Sequence, residues 1–207
     1  MPSPAHLALF ALAALVMNAA PGPSNLYVLS RSLAQGSSAG LVSALGLALG
    51  NLFHVGLAVM GLAALLSYAP DAYVAIRLLG AGYLIYLGIR MLREKPAQSP
   101  GAPSRRPLGR VLLDAALVEM LNPKTALFFL AFLPQFVEPA RGPAALQFLL
   151  LGLIVTLTAL PCDMLVALAG AGIARAFAGA AKRLWPRRVA GSTLIGLGLY
   201  AALARRP

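Results

Sequence analysis

From Ala5 to Leu29 the chain is apolar for long enough to cross a bilayer as one helix, yet Asn18-Ala-Ala-Pro21-Gly22-Pro23-Ser24-Asn25 interrupts it near the middle. A hydrocarbon core is about 30 Å thick and holds no water to satisfy a broken backbone. Two prolines and a glycine at that depth must face other protein groups or a polar cavity. The break therefore marks a candidate binding site.

Six apolar blocks can be read, at about 5–30, 40–67, 71–92, 111–137, 143–173 and 187–204. Most reach the roughly 20 residues a spanning helix needs, and the last, at the short end, crosses with modest tilt. The blocks are rich in Leu, Ala and Gly and carry no alternating polar pattern, which predicts helices rather than barrel strands. Hydrophobic residues make up 59% of the chain and charged residues 11%, with a mean hydropathy of +0.80. No stretch outside the blocks is long enough to bury a core of its own. The reading is a single transmembrane domain over 1–207. The segment before the first block carries no Lys or Arg and Pro21 follows the small residues, so it reads as a retained helix rather than a cleaved leader.

The net charge of +11 is spread over short joins between apolar blocks, the mark of cytoplasmic loops rather than of a nucleic-acid surface. The third join holds Arg90, Arg93, Lys95, Arg105, Arg106 and Arg110; the fifth holds Arg175, Lys182, Arg183, Arg187 and Arg188. The second and fourth offer only Asp71, Glu138 and Arg141. Joins one, three and five are thus expected inside and both termini outside, in the periplasm of a bacterial inner membrane, although Arg205-Arg206 argues the other way. Cys162 is the only cysteine, which excludes an intrachain disulfide and a Cys-x-x-Cys redox pair.

Residues 96–107, proline-rich and small, lie in a basic linker at about 93–110 that divides the chain into repeats at about 5–92 and 111–204. Each half holds three blocks, so similarity between them implies an inverted-topology repeat. Pro21 and Pro123 stand 102 residues apart, as do Gly40 and Gly142, and Gly50 and Gly152. Asn122-Pro123-Lys124 is then the counterpart of Pro21-Gly22-Pro23, and the first and fourth helices are both broken at proline.

At about 1.5 Å per residue from the expected cytoplasmic ends, Pro21, Asn122 and Asp163 each come out roughly 15 Å deep, near the midplane. Prolines lack an N–H and leave carbonyls at the end of one half-helix and N–H groups at the start of the next. The N–H groups around Ser24 and Asn25 can hold a carboxylate, assisted by the Ser24 hydroxyl and the Asn18 and Asn25 amides. Lys124 neutralises that carboxylate or pairs with Asp163. Asp163 binds a substrate ammonium, exchanges a proton, or does both in turn, and Glu119 is a second candidate for proton coupling. Against these stand structural readings: proline kinks, a plain ion pair, and a glutamate in an interfacial cavity. Asn51 and His54 read as an interhelical hydrogen-bonding pair, and Gly46 with Gly50 as a packing seam within or between chains. His6 has no assigned role. No nucleotide-binding P-loop and no metal-ligand spacing is present, so no cofactor is expected and an ion gradient must supply the energy.

Pro21-Gly22-Pro23-Ser24-Asn25, Gly46 to Asn51, and the segment from Leu121-Asn122-Pro123-Lys124-Thr125 through Phe132-Leu133-Pro134-Gln135-Phe136 resemble the LysE/RhtB family of amino-acid exporters. The resemblance covers essentially the whole chain. It implies a six-helix membrane exporter of lysine, arginine, threonine, homoserine or related metabolites, using the proton gradient. Ser24 departs from the common Asn-Asn that follows Pro-Gly-Pro. The reading is an all-α integral membrane protein with two inverted three-helix repeats, exporting a small amino acid by proton antiport, with a homodimer left open. A membrane-embedded enzyme is disfavoured by two histidines, one cysteine and no clustered acids, and a non-transporting structural protein is the remaining rival.

Overall fold

The computed structural model describes residues 2–20, 22–64, 69–93 and 105–180, with six helical positions between Ser192 and Leu203. Helix α1, Pro4–Ala19, begins where Ser3 accepts the His6 N–H at 3.2 Å and Pro4 occupies a first-turn position that needs no donor. Helix α2, Pro23–Gln35, ends at Gly36, whose φ of 91° is open to glycine and strained for other residues. Helix α3 spans Ser37–Leu57 and runs on through one π turn, Ala58–Leu62. Helix α4 is Pro70–Arg93 and α5 is Leu108–Met120. Helix α6, Pro123–Leu127, continues through a π turn, Phe128–Phe132, and a 3-10 turn, Leu133–Phe136. Helix α7, Ala144–Ala180, carries Pro161 in its interior.

The expected breaks in the first and fourth blocks are present: α1 and α2 meet at 51°, and α5 and the α6 segment at 42°. Ser37–Leu62 and Ala144–Gly170 are long and apolar enough to cross a membrane, and each bent pair fits one further span. At about 1.5 Å per residue these lengths exceed a hydrocarbon core and allow tilt. The fold is all-helical over the described residues. Most of the sixth block, and the proline-rich stretch from 96 to 104, lie outside the described residues.

Burial is inverted relative to a water-soluble domain. Leu12, Leu121, Leu157 and Leu165 point outward, whereas Glu119, Asn122, Lys124 and Asp163 are buried. Only a hydrocarbon surrounding makes that arrangement favourable. The Gly46/Gly50 seam closes within the chain: a Cβ on Gly46 would sit 2.7 Å from Ala115 Cβ, and one on Gly50 would sit 2.7 Å from Glu119 Cβ. Its close approach of α3 to α5 sets the position of Glu119, and it leaves no face for a second copy there.

Two apolar layers bracket the buried polar residues around the two breaks. One is aromatic: Phe10, Phe128, Phe132, Phe136 and Phe148 pack with Met17, Val55 and Val155, and the Phe10 and Phe136 rings stand 5.0 Å apart. The other is thin, made of Val28, Leu47, Ala115 and Ala167. Asn18 to Asn25, Asn51, Glu119 to Thr125, and Asp163 fall between the two layers, while buried Arg31, Ser32, Ser43 and Gln147 lie beyond them.

Candidate functional site

At the first break α1 stops at Ala19, leaving carbonyls at the negative end of its dipole. Lys124 Nζ donates to Met17 O at 3.1 Å and to Ala20 O at 3.0 Å. Across the break, Gly22 is the N-cap of α2 and no side chain caps that helix. Pro23 has no N–H, and the first ladder bond runs from Leu26 N to Gly22 O at 3.1 Å. Among the described residues the Ser24 and Asn25 N–H groups meet no acceptor. Gly22 is also where the Lys124 chain passes: a Cβ there would lie 3.0 Å from Nζ and 3.3 Å from Cε.

The second break satisfies itself. Asn122 caps α6, its Oδ1 accepting the Lys124 N–H at 3.0 Å. The Glu119 carbonyl left by α5 accepts from Asn122 N and from His54 Nε2, each at 3.0 Å. The Glu119 carboxylate is ringed by donors. Thr125 Oγ1 donates to Oε1 at 2.6 Å, and Ser24 Oγ and Asn122 Nδ2 both donate to Oε2, the latter at 3.2 Å. Asn122 Nδ2 also reaches Ser24 Oγ at 2.8 Å. Three donors compensate much of the cost of holding a carboxylate out of water.

Asp163 is held more loosely. Its Oδ1 accepts from Asn25 Nδ2 at 3.2 Å. Among the described residues no ion pair joins it to Lys124. Of the two roles read for Lys124, the pair with Asp163 is not formed here; the backbone carbonyls of α1 compete for the ammonium and hold it. The side chains expected to assist a carboxylate are likewise engaged inside the protein. Ser24 is committed to Glu119, Asn25 to Asp163, and Asn18 Nδ2 donates to Val155 O at 3.2 Å and Thr158 Oγ1 at 3.0 Å. What stays open at the first break is backbone, together with the Asn25 Oδ1, which is buried without a partner.

Asn18, Ser24, Asn25, Glu119, Asn122, Lys124 and Asp163 line one cavity of about 20 Å³. Pro23 and Pro123 are exposed and act through the backbone, and Pro21 lies outside the described residues. Leu47, Ala48, Ala159 and Leu160 form an apolar side of the same cavity. The volume suits a water molecule or two. Two lining residues escaped the sequence reading. Thr125 sits one turn into α6, and its signal was the Glu119-x-x-Asn122-x-x-Thr125 spacing that stacks polar groups toward one side. Asn51 was read as an interhelical bond, a role that only His54 fills; the Asn51 Oδ1 is buried without a partner.

Polar groups enclosed at the middle of a lipid-facing helical bundle, with two spans broken beside them, define a membrane carrier for a small polar solute. The comparisons agree: the chain matches the LysE type translocator family over residues 15–205, and it belongs to that family. A leucine efflux protein of Salmonella choleraesuis is 30% identical over 188 residues, 90% of this chain and 86% of that one. A membrane protein of Vibrio cholerae serotype O1 is 31% identical over 198 residues, 95% of this chain and 96% of that one. Another, from Pseudomonas aeruginosa, is 35% identical over 143 residues, 66% of each. No solved structure matches the chain. The chain is thus a transporter of small molecules in a membrane, and the enzyme reading is set aside.

Proposed function

We propose that the chain exports a neutral aliphatic amino acid, leucine or a close relative, across the bacterial inner membrane in exchange for protons. The observation that carries this is the meeting, around one cavity, of an uncapped helix N-terminus, one lysine and a loosely held aspartate. The substrate carboxylate docks on the Ser24 and Asn25 N–H groups beside Lys124, and its ammonium docks on Asp163. Leu47, Ala48, Ala159 and Leu160 suit an aliphatic side chain. The leucine efflux protein among the relatives points the same way.

The charged groups lining the cavity are Lys124, Glu119 and Asp163. With all three ionised the site carries one net negative charge, which one proton neutralises; a zwitterionic substrate adds no net charge but sets its ammonium against Asp163 while its carboxylate lies on the α2 N–H groups beside Lys124. Asp163 takes proton and ammonium in turn, because a bare charge at this depth is costly; Glu119, fixed by three donors, has less freedom to do so. Access alternates between the sides as the two inverted three-helix halves rock, with joins one, three and five facing the cytoplasm.

The test is uptake of a panel of radiolabelled amino acids into inside-out vesicles, whose lumen corresponds to the periplasm. Leucine uptake is expected to rise when the lumen is made acidic. Leucine transport indifferent to the pH gradient would contradict the coupling, and uptake of lysine in preference to leucine would contradict the substrate class.

A further inference from the structure

Where a helix breaks inside a bilayer, the carbonyls it releases are the atoms that bind sodium in many secondary transporters. The first break releases such carbonyls at Met17 and Ala20, and both are occupied by one atom, Lys124 Nζ, at 3.1 and 3.0 Å. The lysine is buried and comes from the first turn of α6, in the other half of the molecule. Its aliphatic stem lies against Gly22, whose missing side chain leaves the path open. Among the described residues the ammonium is also the only cation lining a cavity that carries two carboxylates, Glu119 and Asp163. It therefore meets both requirements of a cation site at this point, carbonyl oxygens at the negative end of a helix dipole and a surplus of negative charge.

We propose that Lys124 is a tethered cation filling a monovalent-cation site made by the Met17 and Ala20 carbonyls, so that this transporter needs no free sodium. Shortening the side chain opens that site to a small free cation of the sodium or alkylammonium class. The inference rests on the transport reading for its flux measurement but not for its binding measurement. Lys124→Ala leaves the Ala20 carbonyl without its donor, the Met17 carbonyl with only the Ala20 N–H at 3.3 Å, and two carboxylates without their cation, and a small cation from solution answers these deficits.

The full chain in proteoliposomes, exchanging labelled leucine, is assayed with sodium, methylammonium or N-methylglucamine as the only monovalent cation. Wild-type flux is expected to be equal in all of them. Lys124→Ala flux is expected to fall about tenfold in N-methylglucamine and to recover in sodium or methylammonium. In detergent, the same small cations should raise the melting temperature of Lys124→Ala and leave the wild type unmoved, since a ligand that binds only the folded site stabilises it. A sodium requirement in the wild type, or a wild-type melting temperature that climbs with sodium, overturns the proposal whether or not the variant folds. Full activity of Lys124→Ala in N-methylglucamine, or a folded Lys124→Ala that no small cation affects, overturns it too. If the wild type moves no leucine in any medium, the functional reading fails while the melting measurement still decides the cation site.

Discussion

The two broken helices look alike in sequence and are finished differently. At the second break the chain supplies its own partners: Asn122 caps α6, His54 takes the Glu119 carbonyl, and Thr125, Ser24 and Asn122 surround the Glu119 carboxylate. At the first, the carbonyl end is closed by Lys124 from across the molecule and the N–H end is left uncapped. An uncapped helix start buried in a membrane protein is costly unless something else arrives. The difference separates a framework from a receptor. On the proposed function, the second break fixes geometry and the first receives the substrate's carboxylate.

If that division is right, changes beside the first break alter transport and changes at the second alter stability. The largest effect is expected from Asp163→Asn, which retains the bond from Asn25 through its amide oxygen but can neither carry a proton nor pair an ammonium. Gradient-driven leucine uptake into inside-out vesicles should be lost while immunoblots find normal amounts in the membrane; wild-type uptake would remove Asp163 from the coupling. Ser24→Ala combined with Asn25→Ala should come next. It frees Asp163 from its donor, and the leucine concentration for half-maximal export should rise by about tenfold, a loss of about 1.4 kcal/mol of binding. An unchanged value would show that the Ser24 and Asn25 side chains give the site no support and leave recognition to their backbone N–H groups alone.

Asn122→Ala should cost about 1 kcal/mol for the lost cap, and somewhat more because Ser24 and Glu119 lose a donor. Thermal unfolding in detergent reads this cost. Half-saturation by leucine should barely move, and a shift as large as that of the Ser24/Asn25 variant would erase the distinction between the breaks.

The smallest effect concerns the clasp that ties the outer ends of the two broken spans. His6 Nδ1 meets Glu138 Oε1 at 2.8 Å, Ser3 N donates to the same oxygen at 3.3 Å, and Arg141 Nε meets Oε2 at 2.7 Å. The His6 hydrogen bond first, then Ser3 and the Arg141 charge, hold the Glu138 carboxyl below its ordinary value of 4.5. A carboxyl lowered in the folded state adds stability above its unfolded value and loses it as pH falls through the folded one. A slight drop in melting temperature below about pH 4.5 should therefore flatten in Glu138→Gln. A drop that persists unchanged would assign it to other carboxyls.

Much of this was legible in the sequence because proline and depth are written there directly. Pro21-Gly22-Pro23 and Asn122-Pro123 announced both breaks, since a residue without an N–H cannot continue the ladder in a place without water. Similar distances from the expected cytoplasmic ends bring Pro21, Asn122 and Asp163 to one level. What the sequence hid is the choice among partners. Lys124 was weighed between two carboxylates, and it chose main-chain carbonyls, which leave no trace in residue identity. The Gly46/Gly50 seam could be read as close packing but not assigned to α5 of the same chain. Asn51 and His54 share a helix face, yet only the register against α5 decides that one bonds Glu119 O while the other lines the cavity.

The claim that the first break receives the carboxylate is tested most directly by a substrate that lacks one. Unlabelled leucine and leucinamide differ only at that end and share the ammonium and the aliphatic side chain. In inside-out vesicles with an acidic lumen, leucine should inhibit uptake of labelled leucine while leucinamide at the same concentration leaves it almost unchanged. Equal inhibition by leucinamide would contradict the account, because the Ser24 and Asn25 N–H groups would then contribute nothing to recognition.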